Sequence, residues 1–345
     1  MKRKNEEIVM KNIKLTLTLI VCLSVGLLFA EDDYKKIAQT GFQFLSVRSD
    51  ARANGMAGAL NAVECGSAAI YYNPATLGFM QRTMDVTASY NTWIAGIKHN
   101  SFTGAFNIAN GRFGAVAISV SSVDYGEIEA TEFWGNDQGY IETGLIYPTA
   151  MQAGIGYAKS LSTKFSVGGQ IRWVGQDLGS SNVLIEDLQT GTSEVVTRDH
   201  VANALAFDFG TYFKTGWKSF VFGMSVRNFS GEVMFEEESF QLPLTFTMGV
   251  SMDLLDFVES AGDNHSLLLS IDASHPRSYP EYIDLGLEYK FMNVFFARVG
   301  YMGNRDERGL TFGSGVEVAG ISIDYSYTPF GVFNNTQSFT LRYSF

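Results

Sequence analysis

The last eight residues of the chain, Ser338-Phe339-Thr340-Leu341-Arg342-Tyr343-Ser344-Phe345, decide the fold class. Large apolar side chains alternate here with hydroxyl-bearing or charged ones, which gives an extended strand one apolar face and one polar face. The same period of two recurs earlier in the chain, for example over Ile321–Tyr327 and Ile283–Tyr289. The sequence therefore predicts many similar β-strands, with a soluble β-sandwich and a membrane β-barrel as the two alternatives.

The polar faces of these strands carry charged residues in mid-strand, which favours the barrel. A membrane barrel has a polar interior, whereas a soluble sandwich would expose such charges to bulk water, which alternation alone does not exclude. We interpret the charges as lumen residues that form ion pairs, and the alternative is a polar path for a solute. The residues are Arg172, Asp208, Arg227, Asp272, Asp284, Glu288, Arg298, Asp324 and Arg342.

The number of alternating segments also fits a membrane barrel. About fourteen segments follow residue 83, and bacterial outer-membrane barrels have an even number of strands. The predicted strands begin near Met84, Ile97, Gly111, Ala150, Phe165, Ala202, Phe220, Leu244, Ser266, Tyr282, Val294, Leu310, Ile321 and Asn335. The sequence thus predicts an all-β fold, a transmembrane antiparallel β-barrel of about 14 strands over residues 83–345.

The links between the predicted strands alternate in length, as expected for short periplasmic turns and long outer loops. Asn110-Gly111 is a strong signal for a tight hairpin turn, and Ala319-Gly320 is equally short. Asp124–Thr149 and Asp177–Val201 are long links on the other side. One link breaks the pattern, because Asp253–His265 is long on the periplasmic side, and we expect a helical turn there.

Composition and motifs exclude several other functions. A net charge of −11 disfavours nucleic acid as a partner, since phosphate backbones would be repelled. The four histidines occur in no metalloprotease or serine-hydrolase motif, so we expect no enzyme activity, no cofactor and no metal site. Cys22 lies in the predicted leader, which leaves Cys65 without a partner for an intramolecular disulfide.

Residues 1–30 have the pattern of a cleavable signal peptide, with a basic start, an apolar run from Leu15 to Phe29, and Ala30 at the cleavage point. Translation could start at Met1 or at Met10. A lipoprotein signal with Cys22 as the lipidated residue, or an uncleaved anchor, are the alternatives. With the barrel signals, the leader predicts the outer membrane of a two-membrane bacterium as the location and its lipid as a partner.

Residues 31–82 precede the barrel and are predicted to form a hatch, or plug. This segment does not alternate and is rich in small residues that allow close packing. It contains the stretch Ala51-Arg52-Ala53-Asn54-Gly55-Met56-Ala57-Gly58-Ala59 and then Asn73-Pro74-Ala75-Thr76-Leu77. These two motifs, with Asp284–Tyr289 and Ile323–Gly331 near the end, resemble the PorV/PorQ branch of the FadL-like outer-membrane proteins. Ala57 departs mildly from that family's pattern, which commonly has glycine there.

The resemblance implies that the segment plugs the lumen and helps a hydrophobic ligand, typically a long-chain fatty acid, to pass through a gap in the wall. Carried over to this chain, the hatch motif comprises Arg52, Gly55, Met56, Gly58, Asn73, Pro74, Ala75 and Leu77. Any of these residues could instead serve only close packing. The terminal strand ending in Phe345 resembles the recognition signal of barrel-assembly machinery, so we expect that machinery as a further partner.

Three functions follow from the resemblance, and from the sequence we favour the first over the other two. The first is passive transport of hydrophobic small molecules, with ligand captured by apolar residues of the first long loop. These residues are Phe133, Trp134, Tyr140, Ile141, Leu145, Ile146 and Tyr147. The second is a PorV-like carrier or scaffold for protein secretion and surface attachment, with secretion proteins as partners. The third is a scaffold or adhesin whose hatch stays closed.

Overall fold

The computed structural model describes residues 40–187, 192–235, 238–258, 264–305 and 309–345, without the side chains of 133, 183–187 and 192–194. The predicted leader and the first residues of the predicted hatch, up to residue 39, lie outside the described residues.

Eighteen strands make up nearly all of the regular structure in the described part of the chain. They are β1 (Met84–Thr92), β2 (Lys98–Asn107), β3 (Ala115–Asp124), β4 (Ile128–Phe133), β5 (Tyr140–Ile146), β6 (Thr149–Ser160), β7 (Phe165–Asp187), β8 (Thr192–Lys214), β9 (Val221–Phe229), β10 (Val233–Phe235), β11 (Glu238–Phe240), β12 (Thr245–Asp253), β13 (His265–Pro276), β14 (Tyr282–Phe291), β15 (Phe295–Met302), β16 (Leu310–Val318), β17 (Ile321–Thr328) and β18 (Thr336–Ser344). Two pairs, β4 with β5 and β10 with β11, form small separate sheets. The other fourteen strands form one closed barrel, which confirms the predicted fold class.

Each barrel strand pairs antiparallel with its neighbours, and the barrel closes where β1 pairs with β18. Side chains alternate between the outer and the inner face of the barrel wall, as the sequence predicts. On β18, Phe339, Leu341 and Tyr343 are exposed, whereas Ser338 and Thr340 point inward and are buried. The apolar outer face and polar inner face follow directly from the period of two.

The barrel has two different ends. The turn end carries Phe345 and the short links, such as 292–294 and 319–320. It also carries the one long link, which contains a short 3-10 helix at Leu254–Phe257 where we expected a helical turn. The loop end carries the long connections, including the hairpins β4–β5 and β10–β11.

Two strand boundaries were wrong in the sequence analysis. Strand β3 begins at Ala115 rather than Gly111, because Ala109, Asn110 and Gly111 all have positive φ angles and extend the turn over residues 108–114. Strand β8 begins at Thr192 rather than near Ala202. The predicted long loop between β7 and β8 is largely a continuation of their ladder, which resumes after a bulge between Asp177 and Ser180.

Between residue 40 and β1, the regular elements of the described chain are short helices and a β-bridge at Thr40. The helices are 3-10 turns at Gln43–Ser46, Gly66–Tyr71 and Pro74–Phe79, and one α-helix, α1, at Ala51–Gly55. A further 3-10 turn, Ile94–Gly96, follows β1. Within the described ranges, no helix has the length and apolar character needed to cross a membrane.

Candidate functional site

Residues 40–79, here called the lumen segment, run through the inside of the barrel from the loop end to the turn end. At the loop end, Thr40 forms a β-bridge to Gln241. At the turn end, the backbone NH of Ser67 donates to the carboxylate of Asp85 at 2.7 Å. Hydrogen bonds in both directions link the segment to wall groups on strands all around the barrel. These groups belong to Asp85, Thr87, Thr103, Val120, Ser166, Gln170, Thr211, Gly223, Thr247, Ser251, Asp272, Glu288, Thr311, Ser338 and Thr340.

The short helix α1 is fixed at its start by a capping side chain. The Asp50 carboxylate accepts from the NH of Ala53 at 2.9 Å and from the hydroxyl of Tyr72 at 2.6 Å. Such a cap satisfies amide groups that the first helical turn leaves free. Burial raises the pKa of the Asp50 carboxyl above its usual range. The helix then meets the wall, where the Asn54 amide donates to Ser338 at 2.7 Å.

The small residues of the first motif lie where the segment backbone touches the wall backbone. A Cβ added to Gly55 would lie 3.0 Å from the Cα of Gly313, and one added to Gly300 would lie 2.4 Å from the nitrogen of Ala57. Ala57 itself has a φ of 55° and Gly58 a φ of 84°. Left-handed backbone is costly for a residue with a Cβ, so glycine would be less strained than alanine at position 57.

Arg52 joins the segment to a buried ion-pair network in the wall. Its guanidinium binds both carboxylate oxygens of Glu288, at 2.9 and 2.8 Å. Glu288 also accepts from Arg298 at 2.5 Å, and Arg298 reaches Asp324 at 2.5 Å. Bidentate, charge-assisted pairs of this kind are the strong ones. A member of the hatch motif and three of the predicted lumen charges thus form one chain of contacts.

The second motif is held at the turn end by the side chain of Asn73, which is fully buried. Its amide donates to the carbonyls of Asn61 and Thr211 at 2.9 and 3.0 Å, while its oxygen accepts from the NH of Ala75. Pro74 lies against Gly168, because a Cβ added to Gly168 would lie 2.7 Å from the carbonyl carbon of Pro74. The adjacent Leu77 is buried in the same cluster as Met56.

The remaining predicted lumen charges fall into separate groups. Arg172 pairs with Asp208 at 2.8 Å, and Asp284 pairs with two arginines, Arg48 and Arg305. Arg342 pairs with Asp85 at 3.2 Å. The list of predicted residues contained neither of these two partner arginines, nor Asp85. Asp85 alternates with apolar Met84 and Val86 in the sequence, so its inward position could have been predicted.

Two predicted charges have partners other than a counter-ion in the described part of the chain. The guanidinium of Arg227 donates to the backbone carbonyl of Tyr71 at 2.8 Å. The carboxylate of Asp272 accepts from the backbone NH of Asn61 at 2.9 Å. Both residues therefore bind the backbone of the lumen segment directly.

Cys65 lies inside the lumen segment, and its side chain is buried. Burial raises the pKa of its thiol to about 12. Because the thiolate is the reactive form, this cysteine is chemically protected while the segment is seated.

A cavity of about 420 Å³ lies at the loop end, between the segment and the wall. Apolar Leu45, Val47, Trp93 and Phe330 line part of it. The rest of the lining is polar and includes Arg48, Arg227, Asp272, Asp284 and Arg305.

The predicted capture residues of the first long loop lie elsewhere. They belong to the hairpin β4–β5 or follow it, and Trp134, Tyr140, Leu145 and Tyr147 are all exposed. None of these residues lines the cavity at the loop end.

Solved structures with a similar architecture include two toluene transporters and a FadL homologue. The toluene transporter TodX of Pseudomonas putida is 13% identical and superposes with a TM-score of 0.58, over 90% of this chain and 99% of that chain. The toluene transporter TbuX of Ralstonia pickettii is 14% identical, with a TM-score of 0.56 over 86% and 99%. A FadL homologue of Pseudomonas aeruginosa is 12% identical, with a TM-score of 0.52 over 90% and 99%.

These likenesses, with the closed barrel and its filled lumen, show that the chain has the fold of these barrels. The sequence model of the family described as "Type IX secretion system protein PorV" matches residues 30–258, which is more than half of the chain. The chain therefore belongs to the PorV family. Comparison with curated protein sequences finds no match.

Proposed function

We propose that this barrel is the outer-membrane component of a type IX secretion pathway that receives secreted proteins at its loop end. The family match over residues 30–258 is the observation that carries the proposal. Because bacterial barrels put short turns in the periplasm and long loops outside, the loop end would face the cell exterior. This function corresponds to the second of the three candidates from the sequence, and the match moves it ahead of the first.

We infer that residues 31–82 act as a hatch that stays seated while the barrel works. Support comes from the way the described part of this segment is bound. Arg52, Asn54 and Asn73 each bond to wall groups, and the wall glycines accept the segment backbone at close range. The paired lumen charges would hold the wall and hatch together, because breaking a buried pair costs more than forming it gains.

A disulfide that locks the hatch tests this proposal. Asn54→Cys with Ser338→Cys would join two side chains that are hydrogen-bonded at 2.7 Å, in a Cys65→Ser background. Deleting the gene should abolish release and surface attachment of secreted proteins, measured by mass spectrometry of the medium and the cell surface. The locked variant should restore both when oxidised, and each single-cysteine variant serves as a control. Unchanged secretion after deletion would contradict the proposal.

Passive uptake of hydrophobic small molecules, of the long-chain fatty acid class, is the second candidate. The loop-end cavity favours it, since ligand sites are concave, partly apolar and furnished with a few polar groups. The names of the solved toluene transporters point the same way. Cells that express the chain should then take up oleate or toluene faster than deletion cells, and oxidising the locked variant should stop the gain.

The export route completes the proposal. We infer that the leader 1–30 is cleaved and that barrel-assembly machinery recognises the terminal strand through Phe345. Removing Phe345 should lower the amount of heat-resistant barrel in outer-membrane fractions, whereas Phe333→Ala in a loop-end connection should leave it unchanged.

A further inference from the structure

The hairpin formed by β4 and β5, Ile128–Ile146, here called the loop-end hairpin, is unusual because neither of its faces is buried among the side chains that the structure describes. Glu132, Ile141 and Ile146 are half-buried, and most of the others are exposed. On β5, Tyr140, Glu142 and Leu145 are all exposed, without the alternation of buried and exposed residues seen on barrel strands. A two-stranded hairpin is only marginally stable in water by itself. A hairpin with apolar side chains on its surface therefore has the character of an unfilled interface.

The backbone of the hairpin also has strand edges without a pairing partner among the described strands. Strands β4 and β5 form a sheet of two, so within the described residues the outer edge of each strand has no neighbouring strand. The base of the hairpin contacts the barrel ladder, where a Cβ added to Gly179 would lie 3.5 Å from Ile146. Free strand edges are sites at which a further extended segment can add by backbone hydrogen bonds.

The charged residues in and next to the hairpin are all acidic. No lysine or arginine occurs between Arg112 and Lys159. The stretch from residue 124 to 147 holds six carboxylates, and within the described part of the chain none of them forms an ion pair. They are Asp124, Glu127, Glu129, Glu132, Asp137 and Glu142.

Acidic and apolar side chains are interleaved along the hairpin. In the strand register, Glu129 lies opposite Leu145 and Glu132 lies opposite Ile141. A matching partner must therefore present cations next to apolar side chains. A membrane surface that carries phosphate groups is a poor match, because like charges across an interface are costly. Alternating basic and apolar residues in an extended polypeptide match the edge, the charge and the apolar positions together.

We propose that the loop-end hairpin is a docking site for an extended basic and apolar segment of a protein, which adds as a further strand. This inference rests on the proposed function, because it needs the loop end to face secreted proteins. It assigns the recognition step to residues outside the lumen. Charge complementarity would act mainly on the rate of association and on specificity, and the strand edge would hold the segment in place.

The test uses the full chain in detergent and two synthetic 12-residue peptides, one of alternating Lys and Val and one of alternating Glu and Val. The Lys/Val peptide should bind, and its apparent Kd should weaken strongly between low salt and 0.5 M NaCl, where the Debye screening length falls to roughly 4 Å. The combined variant Glu129→Gln, Glu132→Gln, Glu142→Gln should weaken binding at least about tenfold, equal to roughly 1.4 kcal/mol. The matched control neutralises three loop-end carboxylates outside the hairpin, with Asp177→Asn, Glu232→Gln and Glu281→Gln, and should bind normally.

Equal binding of the Glu/Val peptide, or unchanged binding after a Gly-Ser link replaces residues 128–146, would overturn the inference. A photoreactive phenylalanine analogue at Trp134 tests the site in cells. Crosslinks should map to basic and apolar segments of proteins and should disappear in the triple variant. Crosslinks to lipid alone would also overturn the inference. If the hairpin replacement secretes normally, only this inference fails, whereas normal secretion after gene deletion removes the proposed function itself.

Discussion

The lumen segment and the loop-end hairpin treat the same kinds of residue in opposite ways. In the lumen, Arg52 donates to both carboxylate oxygens of Glu288, and Asn73 is fully buried with its polar atoms hydrogen-bonded. On the hairpin, Glu129 and Trp134 are exposed and the strand edges are open. The difference indicates that the buried and paired polar groups of the lumen contribute most to stability. The exposed side chains and free strand edges of the hairpin are available to bind a partner.

Of the changes considered, Glu288→Gln should lower the stability of the protein most strongly. The change removes the shared carboxylate charge and leaves half-buried Arg52 and buried Arg298 with one counter-ion fewer. Breaking a buried pair on one side costs about 3–5 kcal/mol, so we expect a clear fall in the thermal midpoint in detergent. Glu129→Gln on the hairpin is the matched control and should leave the midpoint unchanged. Equal midpoints for both variants would mean that the lumen network adds no stability.

Gly300→Ala should have the next largest effect. The added methyl would lie 2.4 Å from the nitrogen of Ala57, so the segment must move away from the wall. Overpacking of this kind costs about 1–3 kcal/mol. Hydrogen exchange over residues 50–60 should become faster, whereas Gly231→Ala, which has nothing within 4 Å of its added methyl, should leave exchange unaltered. Unchanged exchange in the first variant would contradict the tight contact.

Cys65 reports how firmly the segment is seated. With its pKa raised to about 12 by burial, the thiol should react with iodoacetamide at pH 8 at least about 100-fold slower than an exposed cysteine. A Trp134→Cys, Cys65→Ser variant gives the exposed reference on the hairpin. Mass spectrometry of intact protein measures both rates. Similar rates would show that the segment leaves the lumen readily.

Trp134→Ala should have the smallest effect on stability. Its side chain is 55% exposed, and surface substitutions of this kind seldom alter the free energy of unfolding measurably. We expect an unchanged thermal midpoint together with weaker binding of the Lys/Val peptide. A lower midpoint would indicate that the hairpin is part of the folded core, and the contrast between the two regions would then weaken.

Much of the barrel could be predicted from the sequence because burial imposes a period of two on every wall strand. Fourteen strands followed from that period, and so did the inward charges such as Arg172 and Asp208. Their pairing could not be predicted, because it depends on strand register. Arg172 stands opposite Ala206, and its partner Asp208 is two residues further along β8.

The hairpins outside the barrel gave no comparable signal. Strand β4 reads Ile-Glu-Ala-Thr-Glu-Phe and β5 reads Tyr-Ile-Glu-Thr-Gly-Leu-Ile, so apolar residues do not recur strictly at every second position. Neither face is buried, and no selection for alternation acts on a strand without a buried face. The contact between the lumen segment and the wall does have a sequence signal. Gly168 and Gly300 occupy inward-facing wall positions where the segment backbone comes too close for a larger side chain.

The contacts between the two ends of the described chain have a consequence for the speed of assembly. The NH of Ala51 donates to Thr340, 289 residues later, and Asn54 donates to Ser338 across 284 residues. Contacts of such long sequence separation make folding slow, because the loop must close before they contribute. Helix α1 therefore lacks some of its wall contacts until β18, the last strand, has folded. Pairing of β1 with β18 and docking of the lumen segment then occur together, late in folding.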